Sequence, residues 1–545
     1  MKKKLKIGIF LNDHRELNDG QIKTVNDILN SKLTNLSYVF QYKQAFKLNF
    51  AVSLFYKFIS KLEKKYCRIS RISKDKKVKK INLIKSDIDI LLINKNLRLK
   101  IKNLDLLIFF EKSDFIHSKI STLPKYGSWL INYGVNNNIF VGFWESFFSS
   151  GISTIMIQKI NKVESRSKIN IIDKGFYSTK TISWFLNRDF IFEKSSILII
   201  KNLKLLYAKN LDNIKTVSHN KDRKNPNIFI LIHYILKKYP IAVFRKILNI
   251  FMTMFNNNGR RSEPQYNPWN LHIGRKDENG LHPFKSSTRI KPSNNQAWAD
   301  PFLISKNKDD YVFFENWEFN KNKGKISYGK IEDNKILKIY DALDFKHHLS
   351  YPFLWNENNY FYMIPESGEK KCIQIWRTKN FPKNWVLYKT LFKGESCVDT
   401  TIFDDKKGDR WLFTNKSNDK YNDHNSELYI YKTDRKFNKL IPHKLNPVIT
   451  DSRFARNAGN IYYNKQGLIM RPSQMNTHNL YGGALNIRII KILNLYEFNE
   501  VNCNIYYPNF KSNISAIHHI TQNNHKYIID VRYKKLLFHL MPKNY

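Results

Sequence analysis

Four carboxylates fall where a repeated pattern would bring them together. Asp300 and Asp399 hold matched positions in WADPFLISKNKDDYVFFEN from Trp298 and CVDTTIFDDKKGDRWLFTNK from Cys397. Glu315 follows Asp300 by 15 residues, and Glu366 follows Tyr351 by 15, Tyr351 being the matched position in LSYPFLWNENNYFYMIPES from Leu349. Paired carboxylates on one cavity suit glycosyl transfer or cleavage, one as nucleophile or base and one protonating the leaving oxygen. Crowding like charges pushes their pKa values apart and so separates the two roles. Asp300 is expected as base or nucleophile, with Asp399 the first choice for acid and Glu366 the second. Glu315 reads as structural.

Positive and neutral donors come later in the chain. Arg453 and Arg456 lie in DSRFARNAG, Arg471 in RPSQ, and His518 and His519 in AIHH. Arginine forks suit phosphate or carboxylate groups, so this arc is expected to bind a sugar, sugar phosphate or nucleotide sugar. Tyr351, Trp298, Trp317 and Tyr481 are candidates to stack on sugar rings. No metal is expected, because the two histidines have no second ligand pair at suitable spacing.

Bringing these residues together requires a ring. Two further segments, RNAGNIYYNKQGLIMRPSQ from Arg456 and ISAIHHITQNNHKYIIDVRY from Ile514, repeat the same order of short apolar strand, polar turn and aromatic strand. With Ala458 and Ala516 as the matched positions, the steps from Asp300 are 51, 48, 59 and 58 residues. A period of about 50 residues with several strands per unit predicts an all-β propeller, here of five blades, over 268–545.

The first half has another rhythm. LKIGIFL (Leu5 to Leu11), IDILLI (Ile88 to Ile93) and LDLLIFF (Leu104 to Phe110) read as buried strands, with helices over Gln21 to Ser31 and Ala51 to Lys64 between them. That alternation predicts an α/β, Rossmann-like domain over 1–225 with a mainly parallel sheet. No GxGxxG follows the first strand, so a dinucleotide is not expected. Residues 226–267 read as a helical linker. Its apolar stretch Ile228 to Phe255 is split by Pro240 and carries Lys237, Lys238, Arg245 and Lys246, so membrane-surface contact through 228–255 is the alternative to domain packing.

The chain has 545 residues and a net charge of +46, from 92 Lys+Arg against 46 Asp+Glu. The excess is spread along the chain with abundant Lys, Asn and Ile, so nucleic acid is not an expected partner. Four scattered cysteines without a CxxC pair fit a reducing compartment. MKKKLKIGIFLND reads as a first strand rather than a signal peptide. The expected location is cytoplasmic, with attachment to the inner face of the membrane as the variant.

Residues 104 to 180, with KYGSWLINYGVNNNIFVGFWESFFSSGISTIMIQKI at their centre, resemble the formyltransferase fold. The Gly151 to Thr154 run and a helix over Gly142 to Phe148 carry the likeness. The catalytic positions implied by the resemblance depart from it: Leu130 stands for the family's Asn, Asn132 for its His, and the Asp falls near Ser167. Leucine polarises nothing and asparagine does not titrate, so a catalytically inactive domain is expected. Formyl-tetrahydrofolate would be a cofactor only if the chemistry had moved to Tyr133 and Glu164. No other cofactor is expected.

The motifs WADPF, HLSYPF, IPES, VDTT, LFTN, RPSQ and YGGALNI are similar, in that order, to the N-terminal propeller domain of plant glucosamine inositol phosphorylceramide transferases, over about 264–535. Bacterial proteins that carry this domain behind a formyltransferase-like one share the order. The resemblance extends to five-bladed propellers of glycoside hydrolases and mannoside phosphorylases, which implies a sugar at the propeller axis. The expected function is glycosyl transfer or cleavage in bacterial surface-glycan biosynthesis. The alternatives are a non-catalytic glycan-binding scaffold or an amino-sugar N-formyltransferase with relocated catalytic residues.

Overall fold

The computed structural model describes residues 3–11, 18–41, 49–66, 83–84, 95–111, 120–134, 140–160, 168–209, 211, 215–218, 223–240, 268–277, 284–478 and 480–533. The chain divides into two compact units, Met1–Lys246 and Ile247–Tyr545.

The first unit runs β1 (Leu5–Leu11), α1 (Asp19–Asn30), β2 (Thr34–Gln41), α2 (Phe50–Tyr66), β3 (Leu83–Ile84), α3 (Lys95–Lys102), β4 (Leu106–Phe109), β5 (Ser128–Asn132), α4 (Phe143–Phe147), β6 (Ile152–Ile160), β7 (Lys168–Ser178), α5 (Trp184–Ala208), β8 (Lys215–Ser218) and α6 over 228–240. One sheet contains all the strands, in the order β3-β2-β1-β4-β5-β6-β7-β8. The first five are parallel and the last three antiparallel. The sheet is therefore mixed, where the sequence suggested mainly parallel: parallel neighbours need a long crossover, and β6 reaches β7 without one. The expected strand Ile88 to Ile93 lies outside the described residues.

Local chemistry sets the helices of this unit. Asn18 and Gln21 form a capping box on α1. Gly20 lets α1 lie against α5, since a Cβ there would meet the Glu193 nitrogen at 2.4 Å. Glu63 of α2 is buried and accepts from Ser183, the Phe185 N–H, Tyr234 and Tyr239. Burial raises its pKa against those donors. This cluster binds the start of α5 to α6. Leu231 and Tyr234 of α6 are fully buried, and Lys238 donates to Ser149 and the Thr181 carbonyl. The amphipathic reading of 228–255 is thus packed inside the first unit over its described part, with Phe229 and Leu236 outward; residues 241–255 lie outside the described residues. No described helix is long and apolar enough to cross a membrane.

The second unit is a five-bladed β-propeller. It opens with β9 (Trp269–Arg275) and β10 (Thr288–Ile290). Blade one is β11 (Gln296–Lys306), β12 (Asp309–Glu318), β13 (Lys323–Glu332) and β14 (Lys335–Leu343); blade two is β15 (Ser350–Glu357), β16 (Tyr360–Glu366), β17 (Ile373–Thr378) and β18 (Val386–Leu391). Blade three is β19 (Ser396–Asp404), β20 (Arg410–Ser417), β21 (Glu427–Thr433) and β22 (Leu440–Pro442), with β23 (Ile449–Thr450) also on β21. Blade four is β24 (Tyr462–Tyr463), β25 (Ile469–Thr477), β26 (Leu480–Leu493) and β27 (Phe498–Tyr506). Blade five joins both ends of the unit: β28 (Ile514–Gln522) and β29 (Lys526–Tyr533) pair with β9 and β10 in the order β10-β9-β29-β28.

The ring closes at every step. Leu349 N–H donates to the Gly324 carbonyl between blades one and two. Tyr351 and Thr401 hydroxyls meet at 3.0 Å between two and three, and Asn457 Nδ2 reaches the Asp399 carbonyl at 2.9 Å between three and four. Ile520 N–H donates to the Ala458 carbonyl at 2.9 Å between four and five, and Leu303 N–H to Thr521 Oγ1 at 3.1 Å between five and one.

The inner strands share one irregularity. The ladder to the second strand breaks between Ala299 and Phe302, Ser350 and Phe353, Val398 and Thr401, and Ile517 and Ile520. Asp300, Tyr351 and Asp399 each sit in the break with left-handed φ of 48°, 44° and 47°, a costly conformation for a non-glycine residue. The same register makes Glu315, paired with Ala299, equivalent to Glu366, paired with Ser350. It also corrects one alignment. The fifth-blade counterpart of Asp300 is His518 and not Ala516, because Ile517 rather than Ser515 takes the place of Ala299.

Candidate functional site

The breaks turn side chains toward the axis, where a cavity of about 240 Å³ opens. Its walls include Asp300, Glu315, Glu366, Arg456, Tyr481 and His518, with Trp269, Trp317, His348 and Arg532 around them. Four of the five blades supply the lining: β11 and β12 of blade one, β15 and β16 of blade two, the segment before β24 together with β26 of blade four, and β28, β29 and β9 of blade five; blade three stands behind it through Asp399.

Asp300 is 5% exposed, and its Oδ1 accepts no hydrogen bond among the described residues. His518 Nε2 lies 3.4 Å and His519 Nδ1 3.6 Å from that oxygen. Burial pushes its pKa up to about 7; His518 opposes this, and Asp530 and Asp399 add to it. Asp530, from the run IIDV of β29, fills the interior of the fifth-blade break. It accepts from the Asp300 N–H at 2.8 Å, the His519 N–H at 3.0 Å and His518 Nδ1 at 2.7 Å. Burial disfavours charge on His518, but Asp530 and Asp300 outweigh it and hold its pKa above the ordinary value. The three groups offer ligand atoms within 4.8 Å of one another. His518 Nδ1 is bonded to Asp530 and its Nε2 lies 3.4 Å from Asp300 Oδ1, so the imidazole bridges the two carboxyl groups.

Asp399 lies behind the cavity wall and is 1% exposed. Arg456 Nε donates to its Oδ2 at 2.6 Å, and Gln474 Nε2 at 3.3 Å. Burial would raise its pKa, yet Arg456 and a hydrogen bond from Glu366 hold it below the usual carboxylate value. Glu366 is its counterpart. Burial and the Asp399 charge lift Glu366 well above the ordinary value, against Arg456, whose Nη2 is 3.9 Å away. Glu366 therefore carries the proton and Asp399 the charge, the reverse of the order expected from sequence, because only Asp399 has the direct guanidinium bond. Glu315 lines the cavity and is likewise held protonated by burial and by Asp300.

Other expected residues scatter. Arg453 pairs with Asp451 at 2.6 Å with its side chain 40% exposed. Arg471 is fully buried, forked onto Glu500 at 2.7 and 2.8 Å and donating to the Phe454 carbonyl at 2.6 Å. Neither is in the lining of the axial cavity, and each is paired with an acid of the propeller. Tyr351 is fully buried, its hydroxyl bonded to Thr401 and accepting from the Gly459 N–H at 3.0 Å. It bolts the axis together and has no face for a sugar. His519 packs between Phe302 and Tyr351, and burial lowers its pKa to about 3, so it is a neutral core residue. Of the aromatic candidates, Trp317 and Tyr481 line the cavity and Trp298 packs on Phe314 in the core. Two further lining residues were not expected from sequence: Trp269, because nothing before the first repeat marks β9 as part of the last blade, and Arg532, which lies at the far end of the fifth repeat.

In the first unit, Leu130, Asn132 and Tyr133 are all buried. Desolvation pushes the Tyr133 phenol far up, which unfits it as a titrating substitute for the missing histidine. Glu164 and Ser167 lie outside the described residues.

Residues 284–530 match the family described as glucosamine inositolphosphorylceramide transferase 1, N-terminal. Glucosamine inositolphosphorylceramide transferase 1 of Arabidopsis thaliana is 33% identical over 207 residues, covering 37% of this chain and 26% of that protein. Its namesake in Oryza sativa subsp. japonica is 30% identical over 213 residues, covering 38% and 28%. The chain thus spans about a quarter of the length of these relatives. Among solved structures, the family 117 glycoside hydrolase Zg3597 of Zobellia galactanivorans overlays with a TM-score of 0.33 at 12% identity, covering 50% of this chain and 91% of that one. The α-L-arabinofuranosidase PaAbf62A of Podospora anserina overlays with a TM-score of 0.34 at 13% identity, covering 45% and 94%. What the sequence comparison establishes is that the propeller is related to the N-terminal part of a plant glycosyl-transfer protein.

Proposed function

We propose that the propeller makes or breaks a glycosyl bond at its axial cavity, in the biosynthesis of a bacterial surface glycan. The observation that carries this reading is the unbonded Asp300 Oδ1 on the same cavity as protonated Glu366. Glu366 gives its proton to the leaving oxygen as the glycosidic C–O bond breaks. Asp300 bonds the anomeric carbon or takes the proton of the incoming hydroxyl. Asp399, charged by Arg456, holds Glu366 in its acid form. Trp317 and Tyr481 supply faces for the sugar ring. The test is Asp300→Asn with turnover measured on candidate glycosyl donors: lost turnover with retained binding supports the reading, and unchanged turnover overturns it.

A second reading is a glycan-binding module, favoured by the match to only an N-terminal quarter of longer transferases. It predicts saturable sugar binding with no turnover in any variant. For the first unit we propose a binding or assembly role, supported by the absence of a titrating group at Leu130 and Asn132. Calorimetry of the full chain with a folate analogue checks it, since saturable binding would restore the formyltransferase reading. We also propose a cytoplasmic location, supported by the unpaired Cys372, Cys397 and Cys503 and checked by cell fractionation.

A further inference from the structure

A second cavity, of about 380 Å³, adjoins the first one on the same edge of blades five and one. Chain neighbours divide between the two: Trp269 faces the central cavity and Pro268 and Asn270 the second, and likewise Ala297 and Gln296, and Arg532 and Tyr533. Each pair lies at a strand end, Trp269 opening β9, Gln296 opening β11 and Tyr533 closing β29, and successive strand residues face opposite sides, so the two linings flank the same strand ends.

Their chemistry differs. The central cavity mixes three carboxyl groups with Arg456, Arg532 and His518. The second has Arg289, Lys291 and the amides of Asn270, Asn294 and Asn513, with no acid in its lining. Arg289 is held without being neutralised. Its guanidinium stacks on the Tyr533 ring at 3.9 Å, and its Nε and Nη2 both donate to the neutral Asn270 Oδ1, at 3.0 and 2.8 Å. No carboxylate pairs with it among the described residues. The Tyr533 hydroxyl is in turn fixed by His272 Nε2 at 2.9 Å. A stacked, oriented guanidinium with a spare Nη1 and no counter-ion is a prepared anion site.

We propose that this cavity binds a phosphate group carried by the glycosyl substrate, one unit away from the reacting bond. The sugar sits in the central cavity, and the phosphate sits on Arg289 and Lys291. The sugar half of this statement rests on the glycosyl reading above; the phosphate half does not.

The experiment titrates the full-length protein with inorganic phosphate, followed by 31P line width. In parallel, cosedimentation compares vesicles of phosphatidylcholine with and without phosphatidylglycerol. The double variant Arg289→Gln/Lys291→Gln alters exposed side chains, and an unchanged melting curve verifies its fold. A charge-matched control, Lys335→Gln/Lys338→Gln on the outer strand of blade one, reports nonspecific attraction by the basic chain. Loss of phosphate affinity by about tenfold or more in the first variant only supports the site. Accompanying loss of vesicle binding assigns the phosphate to a lipid headgroup, and unchanged vesicle binding assigns it to a soluble substrate. Equal affinity in both double variants overturns the proposal. Asp399→Asn is expected to keep phosphate binding, so failure of the glycosyl chemistry and failure of the phosphate site are read separately.

Discussion

Glu366 hydrogen-bonds Asp399 beside a single guanidinium, with Arg456 Nε 2.6 Å from Asp399 and Nη2 3.9 Å from Glu366. The shorter contact decides which carboxyl ionises, and so which one has a proton to give. Glu366→Gln removes the donor and is expected to lower turnover about 10²- to 10⁴-fold on substrates with poor leaving groups. Aryl glycosides with acidic leaving groups should recover most of that loss. Equal loss on both substrate classes would remove Glu366 from the role of acid.

Asp399→Asn is expected to act through Glu366. Without the neighbouring negative charge the Glu366 pKa falls, so the alkaline limb of the pH–rate profile moves to lower pH. A limb that stays in place in this variant would show that Asp399 does not tune the acid.

The acid limb belongs to Asp300. It must be ionised to serve as base or nucleophile, and its pKa is raised to about 7. Activity is therefore expected to rise as the pH passes about 7, rather than near the usual carboxylate value of about 4. Profiles of kcat/KM between pH 5 and 9 check this.

The same shift makes Asp300 a liability for stability. Its folded pKa lies above the unfolded value of 3.8, so the native state holds the proton more tightly. This group's contribution is most favourable below about pH 4 and is lost as the pH rises through about 7. Asp300→Asn should remove that loss and suits the left-handed φ of 48°. The variant is expected to be more stable than wild type at pH 8 and no more stable at pH 4, as read by calorimetry at the two pH values. A destabilised variant at pH 8 would contradict the buried-carboxyl account.

Tyr351 and Gly459 test the axis independently of chemistry. Tyr351→Phe leaves the buried Gly459 N–H without its acceptor and is expected to cost about 1–3 kcal/mol. Gly459 has φ of 136°, and a Cβ would meet the Ile520 carbonyl oxygen at 1.9 Å. Gly459→Ala should therefore destabilise the propeller by more than about 3 kcal/mol. Denaturant unfolding checks both, and wild-type stability in Gly459→Ala would mean that blades four and five are not joined there.

The repeat made Asp300, Tyr351 and Asp399 legible, because a bulged inner strand needs the same residue pattern each time it recurs. It also made Glu315 and Glu366 equivalent, since they sit across the ladder from matched partners. Fate within the site was less legible. Asp399 and Glu366 exchanged roles over one arginine contact that no spacing encodes. Arg453, Arg456 and Arg471 look alike in sequence, yet Asp451 and Glu500 take two of them and only Arg456 reaches the cavity. His518 was found but misphased, as the fifth blade places its histidines where the others place an acid or tyrosine. Asp530 was hidden as one acid within an apolar strand. In the first unit the strand–helix alternation showed the layer, while the antiparallel β6–β8 edge depended on connection geometry that composition does not report.

The pairing of β9 with β29 has a consequence for how the molecule is made. Trp269 leaves the ribosome more than 250 residues before Asp530 and Arg532, so the last blade has no complete form until β29 has been made. Until then His518 lacks its anion and the axial cavity lacks one wall. A stop or a clip before β29 would therefore yield a chain with most of its sheets but no working centre. Closure of the ring is in effect checked by the last of its own strands to be made.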